Sequence, residues 1–341
     1  MRPIGLATLL GLAALGVAVA SPGDEACAEC HKQIAQHFSA TPMAKALTPV
    51  SSCEILKRNP DLVFRETGYE TRIARDGDRS VLKVTGEGES LAAELLWAFG
   101  RGQAGQTYVF QYEGKFYESR ISFYNALNGV DLTMGARPGK PKDIEEAAGH
   151  RLGSRDALEC FGCHSTGAVT GGELRLGSIA PGVGCDSCHG SATGHVAAIR
   201  TGNAAAAKMA RLVSYSAEEM SELCGKCHRT WGQIAMNGPR GVLNVRFQPY
   251  RLANSKCFRV GDARIRCTAC HDPHGLLETS ARSYDSRCAA CHSTAAHGKT
   301  CNVAKENCVT CHMPKIELPG AHARFTDHQI RIARAGDPYP N

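Results

Sequence analysis

The 46 residues from Cys267 to His312 hold three copies of one pattern: Cys267-Thr-Ala-Cys270-His271, Cys288-Ala-Ala-Cys291-His292 and Cys308-Val-Thr-Cys311-His312. Two thiols three positions apart lie about one helical turn from each other. They can form thioethers to one porphyrin while the histidine that follows is aimed at its iron. Three such sites in so short a stretch bring porphyrins into near contact, which constrains the fold more than any helix or strand signal.

The rest of the chain holds four more copies, at Cys27-Ala-Glu-Cys30-His31, Cys160-Phe-Gly-Cys163-His164, Cys185-Asp-Ser-Cys188-His189 and Cys224-Gly-Lys-Cys227-His228, which makes seven. A lone C-x-x-C reads equally as a zinc knuckle or a redox dithiol. A histidine behind the second cysteine in every copy selects haem c, and seven covalently attached haems are expected. The motifs use 14 of the 17 cysteines and leave Cys53, Cys257 and Cys301. Cys257 and Cys301 are expected to pair as a disulfide in an oxidising compartment.

Thioether-linked haem requires export, and the N-terminus agrees. Arg2, an apolar run from Ile4 to Ala20 and the small residues Ala18-Val19-Ala20 read as a signal peptide over residues 1–20. The run is also long enough to serve as an uncleaved anchor. The expected address is periplasmic or extracellular. Once the leader is removed, roughly 46 residues remain per haem, so porphyrin faces are expected to replace much of an aliphatic core. The formal charge of +6 omits the haem propionates, and Lys and Arg form no dense run, which argues against nucleic acid.

The expected fold is a multihaem cytochrome c of mainly short α-helices and irregular loops wrapped around stacked haems. A β-rich insert follows the first haem segment. The boundaries are 21–58 for that segment, 59–135 for the insert, and 136–341 for a haem domain carrying motifs two to seven. The first segment reads as helical to about Lys57, with Thr41 as a cap and Pro42 at the first helical position. Alternating runs at Leu62 to Glu66, Tyr69 to Arg75, Val81 to Val84, Tyr108 to Tyr112 and Phe116 to Tyr124 read as strands, with Glu113-Gly114 as a hairpin turn. The aromatics crowded between Trp97 and Tyr124 are expected in the sheet core rather than on a docking surface. Gly100-Arg-Gly102-Gln-Ala-Gly105 precedes a strand and not a helix, which removes a dinucleotide-binding reading and leaves a loop. An alanine-rich helix is expected over Ala204 to Leu212. A capping box, Ser216-Ala-Glu-Glu219, should open the helix that carries Cys224.

Setting aside the seven proximal histidines His31, His164, His189, His228, His271, His292 and His312 leaves seven more: His37, His150, His195, His274, His297, His322 and His328. If each supplies a sixth ligand, every iron is closed and of low potential, as suits electron transfer. His195, His274 and His297 follow their own motifs too closely to reach the far face of the same ring, so each is expected to serve a neighbouring haem. Met43 competes with His37 at the first haem.

The segments Cys160-Phe-Gly-Cys163-His164-Ser-Thr, Gly184-Cys-Asp-Ser-Cys-His-Gly190 with His195, Cys267-Thr-Ala-Cys-His-Asp-Pro-His274, and Cys308-Val-Thr-Cys-His-Met-Pro-Lys315 with Thr326-Asp-His328 resemble bacterial multihaem c-type cytochromes. That superfamily contains pentahaem nitrite reductases, octahaem hydroxylamine oxidoreductases and their tetrahaem electron acceptors. The resemblance implies that His274 and His195 are distal ligands. The C-x-x-C-K motif of the nitrite reductases is missing, and seven motifs match neither five nor eight. The expected function is electron relay between redox partner proteins. Two alternatives stay open: an oxidoreductase acting on a small nitrogen or sulfur species at one open haem, and a subunit of a larger redox complex or haem filament, with membrane association also left open.

Overall fold

The computed structural model describes residues 23–238, 240–293, 301, 303–334 and 336–337. The leader and His297 lie outside the described residues. Nine antiparallel strands form one sheet: β1 Leu47–Pro49, β2 Asp61–Glu66, β3 Tyr69–Asp76, β4 Arg79–Gly86, β5 Glu89–Phe99, β6 Gln106–Tyr112, β7 Lys115–Tyr124, β8 Gly129–Leu132 and β9 Gly149–Arg151. Strands β2 to β8 pair in sequence order, while β1 adds to β5 and β9 adds to β7. Among the described residues thirteen α-helices accompany the sheet: α1 Gly23–Ala28, α2 Lys32–Ser39, α3 Glu54–Arg58, α4 Ile144–Ala148, α5 Ser154–His164, α6 Asp186–His189, α7 Thr193–Arg200, α8 Ala217–His228, α9 Trp231–Asn237, α10 Gln248–Ala253, α11 Cys267–Cys270, α12 Asp285–His292 and α13 Cys308–His312.

This corrects the expected fold. The chain is not mainly short helices and loops, because a large, nearly closed antiparallel sheet forms its best-packed part. The ends of the sheet, β2 and β8, approach each other. Arg120 of β7 bridges to Glu66 of β2 through two bonds, at 2.6 and 2.9 Å, and also donates to the carbonyls of Arg137 and Gly139. Both side chains are nearly buried, so the fork geometry of arginine joins distant strands where bulk water cannot compete.

Inside, Ile73, Leu82, Val84, Leu95, Phe110 and Ile121 are fully or almost fully buried. The longest strand, β5, reads Glu-Ser-Leu-Ala-Ala-Glu-Leu-Leu-Trp-Ala-Phe, which is rich in helix formers. Its burial nevertheless alternates, with Leu91, Ala93 and Leu95 inward, because pairing with β4 and β6 overrides local propensity. At the β6–β7 turn, Glu113 and Gly114 both adopt positive φ, 47° and 73°, the conformation whose twist suits a two-residue hairpin.

Two helix expectations fail. After α2 the chain makes only a turn, although Thr41 does accept the Ala44 N–H at 3.2 Å. It then enters β1, where pairing with β5 satisfies the backbone. The alanine-rich stretch gives two 3₁₀ turns, Ala204–Ala206 and Leu212–Ser214, with no buried residue in either. A short helix with no face to bury has little to hold it. The capping box at Ser216 and Glu219 forms, with Ser216 accepting the Glu219 N–H at 3.2 Å and opening α8.

The aromatics divide between two roles. Tyr108, Phe110, Tyr117 and Phe123 fill the sheet interior. Trp97, Phe99 and Phe116 instead surround Phe161, with ring centroids 6.4, 5.2 and 6.4 Å away. Phe161 lies inside the second motif, so the sheet is the seat of that motif. Gly182, at φ +83°, lets the segment before the third motif pass close over Ala44, whose carbonyl a Cβ would strike. Among the described residues no helix is long and apolar enough to cross a membrane.

Candidate haem-binding site

All seven motifs fold as a helical turn, on or beside α1, α5, α6, α8, α11, α12 and α13. In the first, third and fifth motifs the histidine N–H donates to the carbonyl of the first cysteine, at 2.9, 3.0 and 3.0 Å, which brings the two thiols to one side of the turn. Among the described residues no group of three or more His, Cys, Asp or Glu side chains converges as a zinc knuckle would require.

Whether the histidines suit an axial role is decided by their ring nitrogens. A ligating imidazole commonly has its other N–H held by an oxygen acceptor, which fixes the tautomer and the ring orientation. Nδ1 of His164 donates to the Ala46 carbonyl at 3.1 Å, that of His228 to Gln248 Oε1 at 3.1 Å, and that of His312 to the Arg331 carbonyl at 2.8 Å. Nδ1 of His271 lies 3.5 Å from the Tyr284 hydroxyl. The same pattern extends to two spare histidines: His195 bonds the Ala207 carbonyl at 3.1 Å and His328 the Thr326 carbonyl at 3.0 Å. In each of these rings Nε2 is the nitrogen that would meet a haem iron.

Burial also favours the neutral, metal-binding form. It lowers the pKa of His164, His228 and His271, lowers that of His189 with help from nearby His274 and His31, and pushes His328 down to about 4.

Two pairs of imidazoles from different segments meet. His189 and His274 have centroids 6.0 Å apart with planes 8° from parallel, and His271 and His328 have centroids 6.2 Å apart. Imidazoles on opposite sides of one metal, with metal–nitrogen bonds of about 2.0 Å, place their ring centres roughly 6 Å apart. The residues present therefore fit haem c, with one ring of each pair in a motif and the other supplied by a distant segment.

His322 differs from the other spare histidines. Its Nε2 lies 2.8 Å from the Asp131 carboxylate, its ring packs edge-on to Tyr124 at 4.7 Å, and its φ is +47°. Here the nitrogen that would meet an iron bonds a carboxylate instead. His37 is exposed on α2, and His150 is exposed on β9 opposite Glu118 of β7. Neither has a ring partner that marks it as a ligand. Cys257 and Cys301 are both free and exposed, so the expected disulfide is not formed. Cys53 is buried and donates to Gln106 Oε1 at 3.1 Å inside the sheet.

The second tier of the site has no motif. Arg251 of α10 and Asp327 are both fully buried and joined by two bonds, at 2.8 and 2.9 Å. Arg331 adds a third bond to the same carboxylate at 2.5 Å. Ser255 donates to the His328 carbonyl and accepts the Ile330 N–H. One network thus fixes His328, the Arg331 carbonyl that orients His312, and the helix whose Gln248 orients His228. The one sequence signal was Asp327 next to His328.

Residues 136–190, which carry the second and third motifs, match the family model described as cytochrome c554 and c-prime. No curated protein sequence matches the chain. Among solved structures, the outer cell wall cytochrome OcwA is similar with a TM-score of 0.51 and 14% identity, over 90% of this chain and 79% of that one. At that identity the likeness is one of fold. Taken with the family match, it supports a multihaem c-type cytochrome with covalently bound haem.

Proposed function

We propose that the protein is an exported heptahaem c-type cytochrome that relays electrons between redox partner proteins. The observation that carries this reading is the pairing of His189 with His274 and of His271 with His328, rings that together could hold one haem iron per pair. Bound haem c supplies a one-electron Fe(III)/Fe(II) couple. The chain's own residues hold it: seven pairs of cysteines as thioethers and His31, His164, His189, His228, His271, His292 and His312 as proximal ligands. His274 and His328 are distal ligands given to neighbouring motifs, so each closes one site and fixes its distance from the next. His195 has the hydrogen-bonded Nδ1 of a ligand and is assigned the same role. The leader read in the sequence and the chemistry of thioether formation support an address in the periplasm or outside the cell.

Intact mass and paramagnetic resonance of the protein matured in a cytochrome c-producing host test the proposal. Seven haems, with the resting ferric signals low-spin, are expected. Fewer haems, or several high-spin centres, would reject it.

One observation favours a second reading at a single site. With His322 Nε2 held by Asp131, only His37, His150, His195, His274, His297 and His328 remain for seven irons. One iron is then left to Met43 or to an exogenous small molecule, such as a nitrogen or sulfur species. Binding of cyanide or carbon monoxide to one haem per chain would support that reading, and complete inertness would reject it.

A further inference from the structure

The attachment segments touch one another in an order different from their order in the chain. The first motif meets the third: Asp24 of α1 accepts the Cys185 N–H at 2.8 Å, and Glu29 pairs with Arg200 of α7 at 3.1 Å. The third meets the second, because Thr166, just behind His164, accepts the Gly184 N–H at 2.7 Å and bonds the Ser187 hydroxyl at 3.0 Å. The second meets the fourth: α5 packs on α8, Cys163 Sγ lies 3.7 Å from the Lys226 carbonyl, and Arg229 pairs with Glu159 at 2.6 Å. The fifth packs on the fourth through α11 against α8, and it reaches the third through His274 over His189. The sixth meets the fifth where Tyr284, at the start of α12, packs edge-on to His271 at 5.6 Å. The seventh meets the sixth where Asp285 of α12 accepts the N–H groups of Asn307 and Cys308 at 2.7 and 2.9 Å.

We infer that the seven haem-attachment segments form a branched array, in which a core of the third, fourth and fifth motifs sends one arm to the first motif, a second arm to the sixth and seventh, and a third to the second motif beneath the sheet. The inference rests on the proposed electron relay and adds to it a third terminus. A linear relay has two ends, whereas this array has a side terminus at His164. That terminus is walled by Trp97, Phe99 and Phe116 around Phe161, and the edge-on contact of Phe99 with His164 at 5.3 Å closes the proximal side. Electrons arriving at the core from one arm then have two ways out.

The test is an experimental structure of the haem-loaded full chain, read as the set of nearest irons. The expected result is that the iron of His189 neighbours those of His31 and His228, and that the iron of His164 neighbours those of His189 and His228 but not that of His31. The iron of His312 should neighbour only that of His292. An iron of His164 lying between those of His31 and His189, as in a line following the sequence, would overturn the branch. The relay reading is tested separately, since a loaded protein that fails to exchange electrons with any partner still has an iron order to be read.

Discussion

The imidazoles of His189 and His274 lie parallel with centroids 6.0 Å apart, although one belongs to the third motif and the other follows the fifth. Phe38 of α2 packs edge-on to His274 at 6.4 Å, so a segment behind the first motif helps to orient the ring. Local sequence places His274 beside His271, and tertiary structure carries its ring to that of His189 in a different motif. Replacing His274 with glycine should convert one haem per chain from low to high spin and make it bind carbon monoxide. His328→Gly should do the same to the haem of His271. A low-spin spectrum unchanged in both variants would remove the cross-ligation.

His322 should behave differently. Its Nε2 bond to Asp131 and its contact with Tyr124 dock the C-terminal segment on β8. His322→Ala is expected to leave every haem signal unchanged and to lower stability by about 1 kcal/mol or less, the range for a partly exposed ion pair. Denaturant unfolding together with an absorption spectrum separates the two effects.

The buried pair of Arg251 and Asp327 is where a single substitution should do most damage. Removing Asp327 takes the carboxylate from fully buried Arg251 and from partly buried Arg331 together, at a cost of about 3–5 kcal/mol. Asp327→Leu alone should therefore lose far more stability than the double variant Asp327→Leu with Arg251→Met, in which only Arg331, at the edge of the network, loses its partner. The same single variant should disturb the haem signals of His328 and His312, whose backbone the network holds. Equal losses in the single and double variants would show that the pair contributes only shape.

Asp285 gives a pH dependence whose sign follows from its bonds. Donation by the Cys308 and Asn307 N–H groups lowers its pKa below the ordinary 3.8. A carboxylate whose folded pKa is depressed contributes stability that is present above its unfolded pKa and lost as pH falls through the folded value. The junction between the sixth and seventh motifs should hold from neutral pH down to about 4 and loosen below that. Hydrogen exchange at Asn307 and Cys308 reads this directly. Asp285→Ala should give fast exchange at every pH, and exchange rates equal to wild type would contradict the assignment.

A c-type cytochrome with covalent haem was legible in the sequence, because C-x-x-C-H names the thioether-linked cofactor within five residues. The distal set was only half legible. Spacing argued that His274 belongs to a foreign haem, but nothing local distinguishes His322 from His328. The difference lies in which ring nitrogen meets Asp131 or the Thr326 carbonyl, and that is set across the whole chain. Strands β2, β3, β4, β6 and β7 followed from their alternation. Strand β5 was missed because its Ala, Leu and Glu residues favour a helix, and β1 and β9 because three residues give no period. Those omissions made the sheet look like an insert, whereas β1 and β9 recruit residues on both sides of it and seat the second motif. Arg251 and Asp327 were invisible because a buried ion pair has no fixed spacing.

The measurement that tests the account most directly is the axial ligation of each iron in the haem-loaded protein, by paramagnetic resonance with the intact mass taken on the same sample. The expected result is seven haems per chain, at least six of them low-spin, with the haems of His189 and His271 closed by His274 and His328. A spectrum in which either of those two haems is high-spin, or a mass with fewer than seven haems, would contradict it.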